Sequence, residues 1–469
     1  MQTLVMKFGG SSVGSAQAIQ QLVKIARREQ PSTANLIIVV SAMSGITDQL
    51  IRCADLAAAN RSDEVLASIA AIRARHYNVI EELFPEGRER ERVMSVITQR
   101  LDELTRYCQS ILVMGEVTAR GMDVISSLGE RMSAPLVATA LQASGLTAEA
   151  IEATHLIVTD RNFQNAVPQM EASRQQIREV LFPLCNGGTI AVVTGFIAAT
   201  EDGVTTTLGR GGSDYTASIL ADCLDADELW IWTDVDGVLT ADPRVVATAH
   251  SIAEISFAEV GELAYFGAKV LHPKTIRPAV MRNLPLWVKN TFNPDFPGTR
   301  ISQDSQRQRG EITAVTTIKD LSLLTVEGRG MLGVPGIAAR TFSAVARTGA
   351  SVLMISQSSS EQSICFTITS KHTSDVISSL EAEMSLELIR KDIDRIWARD
   401  HVVILSIIGA GMREIPGVSA RIFGALGKAN INVIAIAQGS SEYSLSLVID
   451  QADSAAAVRS IHDEIIPPI

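Results

Sequence analysis

Leu4-Val5-Met6-Lys7-Phe8-Gly9-Gly10-Ser11-Ser12 passes from an apolar run into paired glycines and serines, and beyond it Ile19, Leu22, Val23 and Ala26 recur at helical spacing. The order is strand, loop, helix. The spacing from Gly9 to Gly14 is that of a P-loop, but Ser15 and Ala16 stand where that motif requires Lys followed by Ser or Thr. The lysine, Lys7, precedes the glycines instead. Leu36 to Val40 is a second apolar run, continuous as in a strand covered on both faces, and it ends on Ser41-Ala42-Met43-Ser44-Gly45-Ile46-Thr47. Thr189 to Val193 ends on Thr194-Gly195-Phe196, Leu229 to Trp232 ends on Thr233-Asp234-Val235-Asp236-Gly237, and Leu286-Trp287-Val288 closes the series. Apolar strands alternating with helical stretches predict a mainly parallel α/β sheet whose ligands lie outside the carboxyl ends of the strands. Lys7, Ser41, Thr194 and Asp234 share that end, which predicts a common cleft. Residues 48–120 are helical in pattern and rich in charge, with few chemical signals. Glu130, after Gly129, reads by itself as a solvated helix residue.

The third strand is read as leading directly into the loop of Thr205-Thr-Thr-Leu-Gly-Arg-Gly-Gly-Ser-Asp-Tyr-Thr-Ala217. Three glycines surround Arg210, Ser213-Asp214 follows, and a helix is predicted from Tyr215 to Cys223. Glycines admit close approach of a backbone to a ligand, free N–H groups at a helix start favour negative charge, and an arginine fork suits carboxylate or phosphate. This is the composition of an anion site.

Asn293 to Arg309, with two prolines and a polar run, reads as a domain boundary. Beyond it the chain repeats at an offset of 81 residues: Gly330-Met331 recurs as Gly411-Met412, Pro335-Gly336 as Pro416-Gly417, Phe342 as Phe423, and Gln357 as Gln438. Each copy reads strand, glycine-rich loop, amphipathic helix, strand ending in Gln, strand, so two copies of one small α+β module are expected. Gly328-Arg-Gly330-Met-Leu-Gly333 formally matches a dinucleotide fingerprint. Its second copy loses the last glycine and no ribose-binding acid follows, so nicotinamide binding is discounted in favour of close backbone approach.

The 469 residues suggest about three domains. Hydrophobic residues make up 46% and charged residues 20%, as in an ordered globular chain, and a net charge of −11 argues against nonspecific nucleic-acid binding. Five scattered cysteines form no Cys-x-x-Cys pair, so neither a zinc site nor a disulfide framework is indicated. With no charged leader ahead of an apolar segment and no run reaching the roughly 18 apolar residues of a membrane span, a soluble cytoplasmic protein without membrane association is expected.

Three functions fit the residues. Phosphoryl transfer to a carboxylate needs mainly positioning and charge neutralisation, which Lys7, the Gly9-Gly10 backbone and Arg210 could supply, with Glu130 and Asp214 orienting substrate groups or helping to place Mg²⁺ carried by the phosphates. A phosphatase with an aspartyl nucleophile is a second reading, since Trp230 to Thr240 with Asp234 and Asp236 resembles the first motif of the haloacid-dehalogenase superfamily; no later acidic pair of that superfamily follows. A non-enzymatic amino-acid sensor would explain residues 313–469 alone.

Taken together, Lys7-Phe-Gly-Gly-Ser-Ser-Val, Ser41-Ala-Met-Ser-Gly-Ile-Thr47, Gly129-Glu130, Thr207-Leu-Gly-Arg-Gly-Gly-Ser-Asp-Tyr215, Trp232-Thr-Asp234 and Phe266-Gly-Ala-Lys269-Val-Leu-His-Pro273 resemble aspartokinase over essentially the whole chain. The resemblance implies a three-layer αβα sandwich with a mainly parallel sheet, the amino-acid kinase fold, over residues 1–300. Two α+β ferredoxin-like ACT modules would follow at 313–390 and 391–469, modules that in this family can be interleaved. It implies ATP-dependent phosphorylation of the β-carboxylate of L-aspartate, the first step toward threonine, lysine and methionine, with Mg²⁺. Lys7, Glu130 and Asp214 would be catalytic. Ser41, Thr47, Glu130, Phe196, Arg210, Gly211, Gly212, Ser213 and Asp214 would line the aspartate pocket. Lys7, Phe8, Gly9, Gly10, Thr233, Asp234, Arg244 and Lys269 would hold the nucleotide, with Leu239 a departure where a tyrosine is common. Gln357 and Gln438 resemble effector-contacting glutamines of threonine-regulated members, the kinase halves of aspartokinase–homoserine dehydrogenase proteins. Threonine is therefore the expected effector ahead of lysine, and a homodimer or larger homo-oligomer the expected assembly. No dehydrogenase half follows the second repeat before Ile469.

Overall fold

Residues 4–6, 36–40 and 190–193 are so apolar that they must be covered on both faces, and the structure, a computed structural model, covers them so. It describes residues 2–267, 271, 273–303, 310–357, 362–438 and 442–466. The chain forms two compact units: residues 1–238, 251–257 and 270–305 make the first, and residues 239–250, 258–269 and 306–469 the second.

The first unit holds β1 (Gln2–Phe8), β2 (Thr33–Val40), β3 (Ala148–Ile151), β4 (Val158–Thr159), β5 (Ile190–Thr194), β6 (Ile197–Thr200), β7 (Thr205–Thr207), β8 (Glu228–Thr233), β9 (Glu254–Ser256), β10 (Leu286–Asn290) and β11 (Thr299–Ser302). Eight of them form one sheet in the order β3-β5-β2-β1-β8-β10-β11-β9, parallel throughout except for the antiparallel pair β10–β11. Register aligns the carboxyl ends: Phe8 lies opposite Val40 and Trp232, and Val40 opposite Thr194. Because side chains alternate along a strand, Leu4, Met6 and Phe8 enter one core with Ile38, Val40 and the helices Ala16–Glu29, Ile46–Ala58 and Leu128–Ala143. The helices Met170–Asn186 and Gly212–Cys223 cover the other face, packing on β2 and β1. This is the expected α/β architecture. Residues 46–126 are helical almost throughout, as read, in four helices.

Three details depart from the sequence reading. A second small sheet, β4-β6-β7, stands between the end of β5 and the Gly-Arg-Gly-Gly loop, which therefore does not follow β5 directly. The helix after that loop begins at Gly212 rather than Tyr215, because Gly211 takes a left-handed φ of 72° and serves as the N-cap itself. And β11 lies inside the stretch read as a boundary, where it extends the first unit's sheet.

In the second unit, β12 (Ile312–Glu327), β13 (Met354–Gln357), β14 (Ser363–Thr369), β15 (Arg395–Gly409), β16 (Ala435–Ala437) and β17 (Ser444–Asp450) form an antiparallel sheet in the order β13-β14-β12-β15-β17-β16. The two long strands pair along their whole length with register shifts after Ile312, Ile318 and Leu321, and near the last two Asp320 and His401 take φ of 59° and 57°. Residues 321–327 pair with β14 and residues 402–408 with β17, so each long strand serves both repeat copies and the copies share strands. Each copy keeps its own apolar core. The 81-residue offset is kept in three dimensions: the helices Ile337–Arg347 and Val418–Lys428 both start after a left-handed glycine, Gly336 at 93° and Gly417 at 88°. A Cβ on Gly328 would fall 2.2 Å from Asp392 O, so this glycine admits a neighbouring backbone. Among the described residues no helix is long and apolar enough to cross a membrane.

Candidate active site

At the carboxyl edge of the first unit's sheet, Lys7 on β1 directs its ammonium to Asp214 in the first turn of the helix Gly212–Cys223, Nζ to Oδ1 2.6 Å, with both side chains largely buried. Gly10, in the loop that follows Lys7, is required by contact. The Gly9 N–H donates to Trp232 O at 3.1 Å, and a Cβ on Gly10 would lie 2.9 Å from Ala42 O and 3.1 Å from Ser44 N. The first glycine loop is thus packed on the Ser41–Thr47 loop, which is tied back by Ser41 N to Phe8 O and Ser44 N to Gly10 O, both 3.1 Å.

The Gly-Arg-Gly-Gly loop is fixed equally closely. Phe196 holds a left-handed φ of 67°, rare for an aromatic residue, and its N–H donates to Thr216 Oγ1 at 3.0 Å. A Cβ on Gly212 would meet the Phe196 ring at 2.6 Å, and one on Gly195 would meet Ser213 Cβ at 2.6 Å. Arg210 is left exposed and makes no hydrogen bond or ion pair among the described residues.

Between these loops lies a cavity of about 640 Å³. Of the expected residues, Lys7, Gly10, Ser41, Thr47, Glu130, Phe196, Arg210, Gly211, Gly212, Ser213 and Asp214 border it. The local reading of Glu130 as a solvated helix residue is corrected: it is 3% exposed. Its Oε1 accepts the Ala42 N–H at 3.0 Å, and its Oε2 is buried with no hydrogen-bond partner among the described residues. Burial pushes this carboxyl up to about 8, against the opposing pull of the Ala42 N–H and the Lys7 charge.

Other expected residues lie elsewhere. The Phe8 side chain is fully buried and stacks on Trp232, ring centroids 5.8 Å apart, so it presents no side chain to the cavity. The Thr194 hydroxyl is buried as acceptor for the Ala153 N–H at 2.8 Å, a structural bond. Thr233 ends β8, Asp234 follows it, and neither borders the cavity; the Thr233 hydroxyl donates to Asp234 Oδ1 at 3.2 Å. Arg244 belongs to the second unit, where its guanidinium pairs with Asp242. Lys269 lies outside the described residues. Asp236 carries its carboxylate between the amides of Asn290 and Asn293, at 2.9 and 3.0 Å.

Sequence reasoning missed Asp123, Gln164 and Asp48, which also border the cavity. Asp123 gave no local signal: it lies on the helix Ala119–Ser126, Glu130 on the separate helix Leu128–Ala143, and its bonding partners are far along the chain. Among the described residues no group of three or more His, Cys, Asp or Glu side chains could hold a metal ion.

In the second unit, Gln357 ends β13 and borders a cavity of about 340 Å³ with the Met331–Ala338 turn and Ile364. Gln438, just past β16, is exposed, as Gln357 is.

Comparisons with known proteins bear on this arrangement. The profile of the Amino acid kinase family matches residues 2–290, and that of the ACT domain matches twice, at 324–384 and 405–465, again 81 residues apart. The chain is 37% identical over 462 residues to the bifunctional aspartokinase/homoserine dehydrogenase 1, chloroplastic, of Zea mays, covering 98% of this chain and 50% of that protein. It spans about half the length of the first curated relatives it matches. Among solved structures it resembles E. coli aspartokinase III in complex with aspartate and ADP, with a TM-score of 0.83, 30% identity and coverage of 99% and 100% of the two chains. It also resembles the same protein in complex with lysine and aspartate, with a TM-score of 0.79, 31% identity and coverage of 100% of both. The chain belongs to the amino acid kinase family, in its aspartokinase branch, with ACT domains after the kinase sequence.

Proposed function

We propose that this chain transfers the γ-phosphoryl group of ATP to the β-carboxylate of L-aspartate, giving 4-phospho-L-aspartate and ADP. The observation that carries this reading is the charge arrangement of one cavity: the Arg210 fork and the buried Oε2 of Glu130, both without a partner among the described residues, and the Lys7 ammonium held by Asp214. Aspartate offers the complement, two carboxylates and an ammonium. Arg210 grips the α-carboxylate, and Glu130 accepts from the α-ammonium. Ser41, Thr47, Phe196 and the Gly211–Ser213 backbone shape the remaining wall.

A β-carboxylate oxygen attacks the γ-phosphorus while the bond from that phosphorus to the β,γ-bridging oxygen breaks, and the electron pair leaves with ADP. No proton need move, because the nucleophile is already an anion. Catalysis then rests on positioning and charge stabilisation. Lys7, fixed by Asp214, faces the charge on the transferring group, and the Gly9-Gly10 backbone lies beside the phosphates. Thr233 and Asp234 are assigned to the nucleotide. The donor set suits a Mg²⁺ ion carried on the phosphates rather than in a protein cage, since no carboxylate cluster is found among the described residues; bound there, it would neutralise phosphate charge.

The aspartyl-phosphatase reading is disfavoured because Asp236 is held by two asparagine amides. A sensor without activity leaves the first cavity unexplained.

The ACT modules are read as the regulatory part. An amino-acid effector fits beside Gln357, where the helix Ile337–Arg347 begins and its free N–H groups suit a carboxylate. Threonine is favoured over lysine on the paired Gln357 and Gln438. A homodimer or larger homo-oligomer in the cytoplasm is the proposed form, the free cysteines suiting a reducing compartment. The deciding experiment traps the acyl phosphate with hydroxylamine: aspartate hydroxamate should form only with ATP and L-aspartate present, and its absence with folded protein sinks the reading.

A further inference from the structure

Asp123, in the helix Ala119–Ser126, is fully buried and spends its whole carboxylate on two distant segments. Its Oδ1 accepts from Thr207 Oγ1 at 2.8 Å and from Gln164 N at 3.0 Å; its Oδ2 accepts from Thr207 N and again from Gln164 N, both at 3.0 Å. One side chain thereby ties the last residue of β7 to the loop that contains Gln164. That loop braces the glycines that follow β7. The Ala166 N–H donates to Thr207 O at 2.9 Å, and a Cβ on Gly209 would lie 3.0 Å from both Asn165 Oδ1 and Gln164 O. Gln164 itself holds a left-handed φ of 69°, a conformation that a glutamine keeps only where its surroundings impose it.

We propose that Asp123 is a positioning residue for the carboxylate-binding loop: by holding Thr207 against Gln164 it fixes where Leu208–Gly211 presents Arg210, and so sets the affinity for the amino-acid substrate. For what Arg210 binds, the inference rests on the aspartate kinase reading. Replacing Asp123 by an apolar residue leaves the N–H groups of Thr207 and Gln164 buried without an acceptor, which the loop relieves by moving. Asparagine keeps one oxygen for those two N–H groups and can turn its amide toward the Thr207 hydroxyl, so it preserves the tie without the charge. Burial pushes the Asp123 carboxyl above the usual aspartate range while the Gln164 and Thr207 donors pull it down, which agrees with a role resting on hydrogen bonds.

The test compares Asp123→Ala, Asp123→Asn and wild type as full chains, by steady-state kinetics and by amide hydrogen exchange. Asp123→Ala should raise the KM for aspartate at least about tenfold, with kcat and the KM for ATP within about threefold, and Asp123→Asn should stay within about threefold throughout. Peptides spanning 208–211 should lose protection in Asp123→Ala while those of β1 and β2 keep theirs. The inference is overturned by an unchanged aspartate KM in Asp123→Ala, by parallel rises in both KM values, by an Asn variant as impaired as the Ala variant, or by unchanged exchange. Should Asp123→Ala not fold, Thr207→Val removes the hydroxyl donor alone and must still raise the aspartate KM; no rise overturns the inference. If wild type forms no acyl phosphate, the substrate reading falls, and the exchange comparison decides the positioning role by itself.

Discussion

The Lys7 ammonium and the Asp214 carboxylate stand 2.6 Å apart and join the end of the first strand to the start of the helix after the Gly-Arg-Gly-Gly loop, residues more than 200 positions apart in the chain. The pair is largely shielded from water, which strengthens the field of the lysine and fixes its direction. An ammonium held this way requires little reorganisation when charge builds on a transferring phosphoryl group.

Lys7→Met should therefore lower kcat by roughly 10²–10³-fold, the size of effect seen when one preorganised donor to a transition-state charge is removed. The KM for aspartate should move far less. A coupled assay for ADP release measures both, and a variant that keeps kcat while losing substrate affinity would assign Lys7 to ground-state binding instead.

On the proposed reading, Glu130 should make aspartate binding sensitive to pH. Its carboxyl is pushed up to about 8 by burial, so in the free protein it is protonated at neutral pH and cannot pair with an ammonium. Binding aspartate then releases a proton, and log affinity should rise with pH by up to about one unit per pH unit below 8, then level off. Glu130→Gln should bind more weakly and lose that slope, as read by calorimetry in buffers of different ionisation enthalpy. Stability gives an independent check. A carboxyl raised in the native state binds its proton more tightly folded than unfolded, so its contribution falls as pH climbs from about 4.5 to about 8. The melting temperature of Glu130→Gln relative to wild type should rise across that window.

The strands and the two glycine loops were legible in sequence because their signals are local. Leu36 to Val40 can only be a strand covered twice, and Gly10 and Gly212 are glycines for steric reasons visible in their contacts, Gly211 for its left-handed φ. Glu130 was not legible from its own neighbours, since nothing in Gly129-Glu130-Arg131 says that the chain at Ala42 closes over it. The same holds for Asp123, whose partners Gln164 and Thr207 are 41 and 84 residues away. The helix start was misplaced by three residues because Ser213-Asp214 look like caps, whereas the left-handed φ of Gly211 sets the start. Two repeat copies were readable from the 81-residue offset. That β12 and β15 each run through both copies depends on a long-range pairing that no periodicity reports.

Gly195 offers a steric test of the substrate loop. Its missing side chain lets Ser213 approach, and a methyl there would lie 2.6 Å from Ser213 Cβ and 2.9 Å from Ser213 Cα, backbone that cannot yield without moving the loop. Gly195→Ala should cost about 1–3 kcal/mol of stability, as overpacking does. It should also raise the aspartate KM more than the ATP KM, the split expected of Arg210→Ala. Equal rises in both would place the loop nearer the nucleotide.

Gln357 and Gln438 occupy equivalent places in sequence, and both are exposed. Gln357 borders a cavity closed by the Met331–Ala338 turn, whose Gly336 begins a helix with N–H groups free for a carboxylate. Gln438 lies just beyond β16. An effector can change catalysis only by binding one state of the protein better than another, so removing a contact in the tighter state weakens regulation in proportion to the affinity lost. Loss of one neutral hydrogen bond, about 0.5–1.5 kcal/mol, shifts the half-inhibiting concentration by roughly 2- to 12-fold. Gln357→Ala should show that shift in threonine titrations of hydroxamate formation, with basal kcat unchanged, and Gln438→Ala is titrated beside it. Equal shifts would give both modules the same part in binding; no response of the wild type to threonine, with a response to lysine, would change the effector but leave the Gln357 cavity to be tested in the same way.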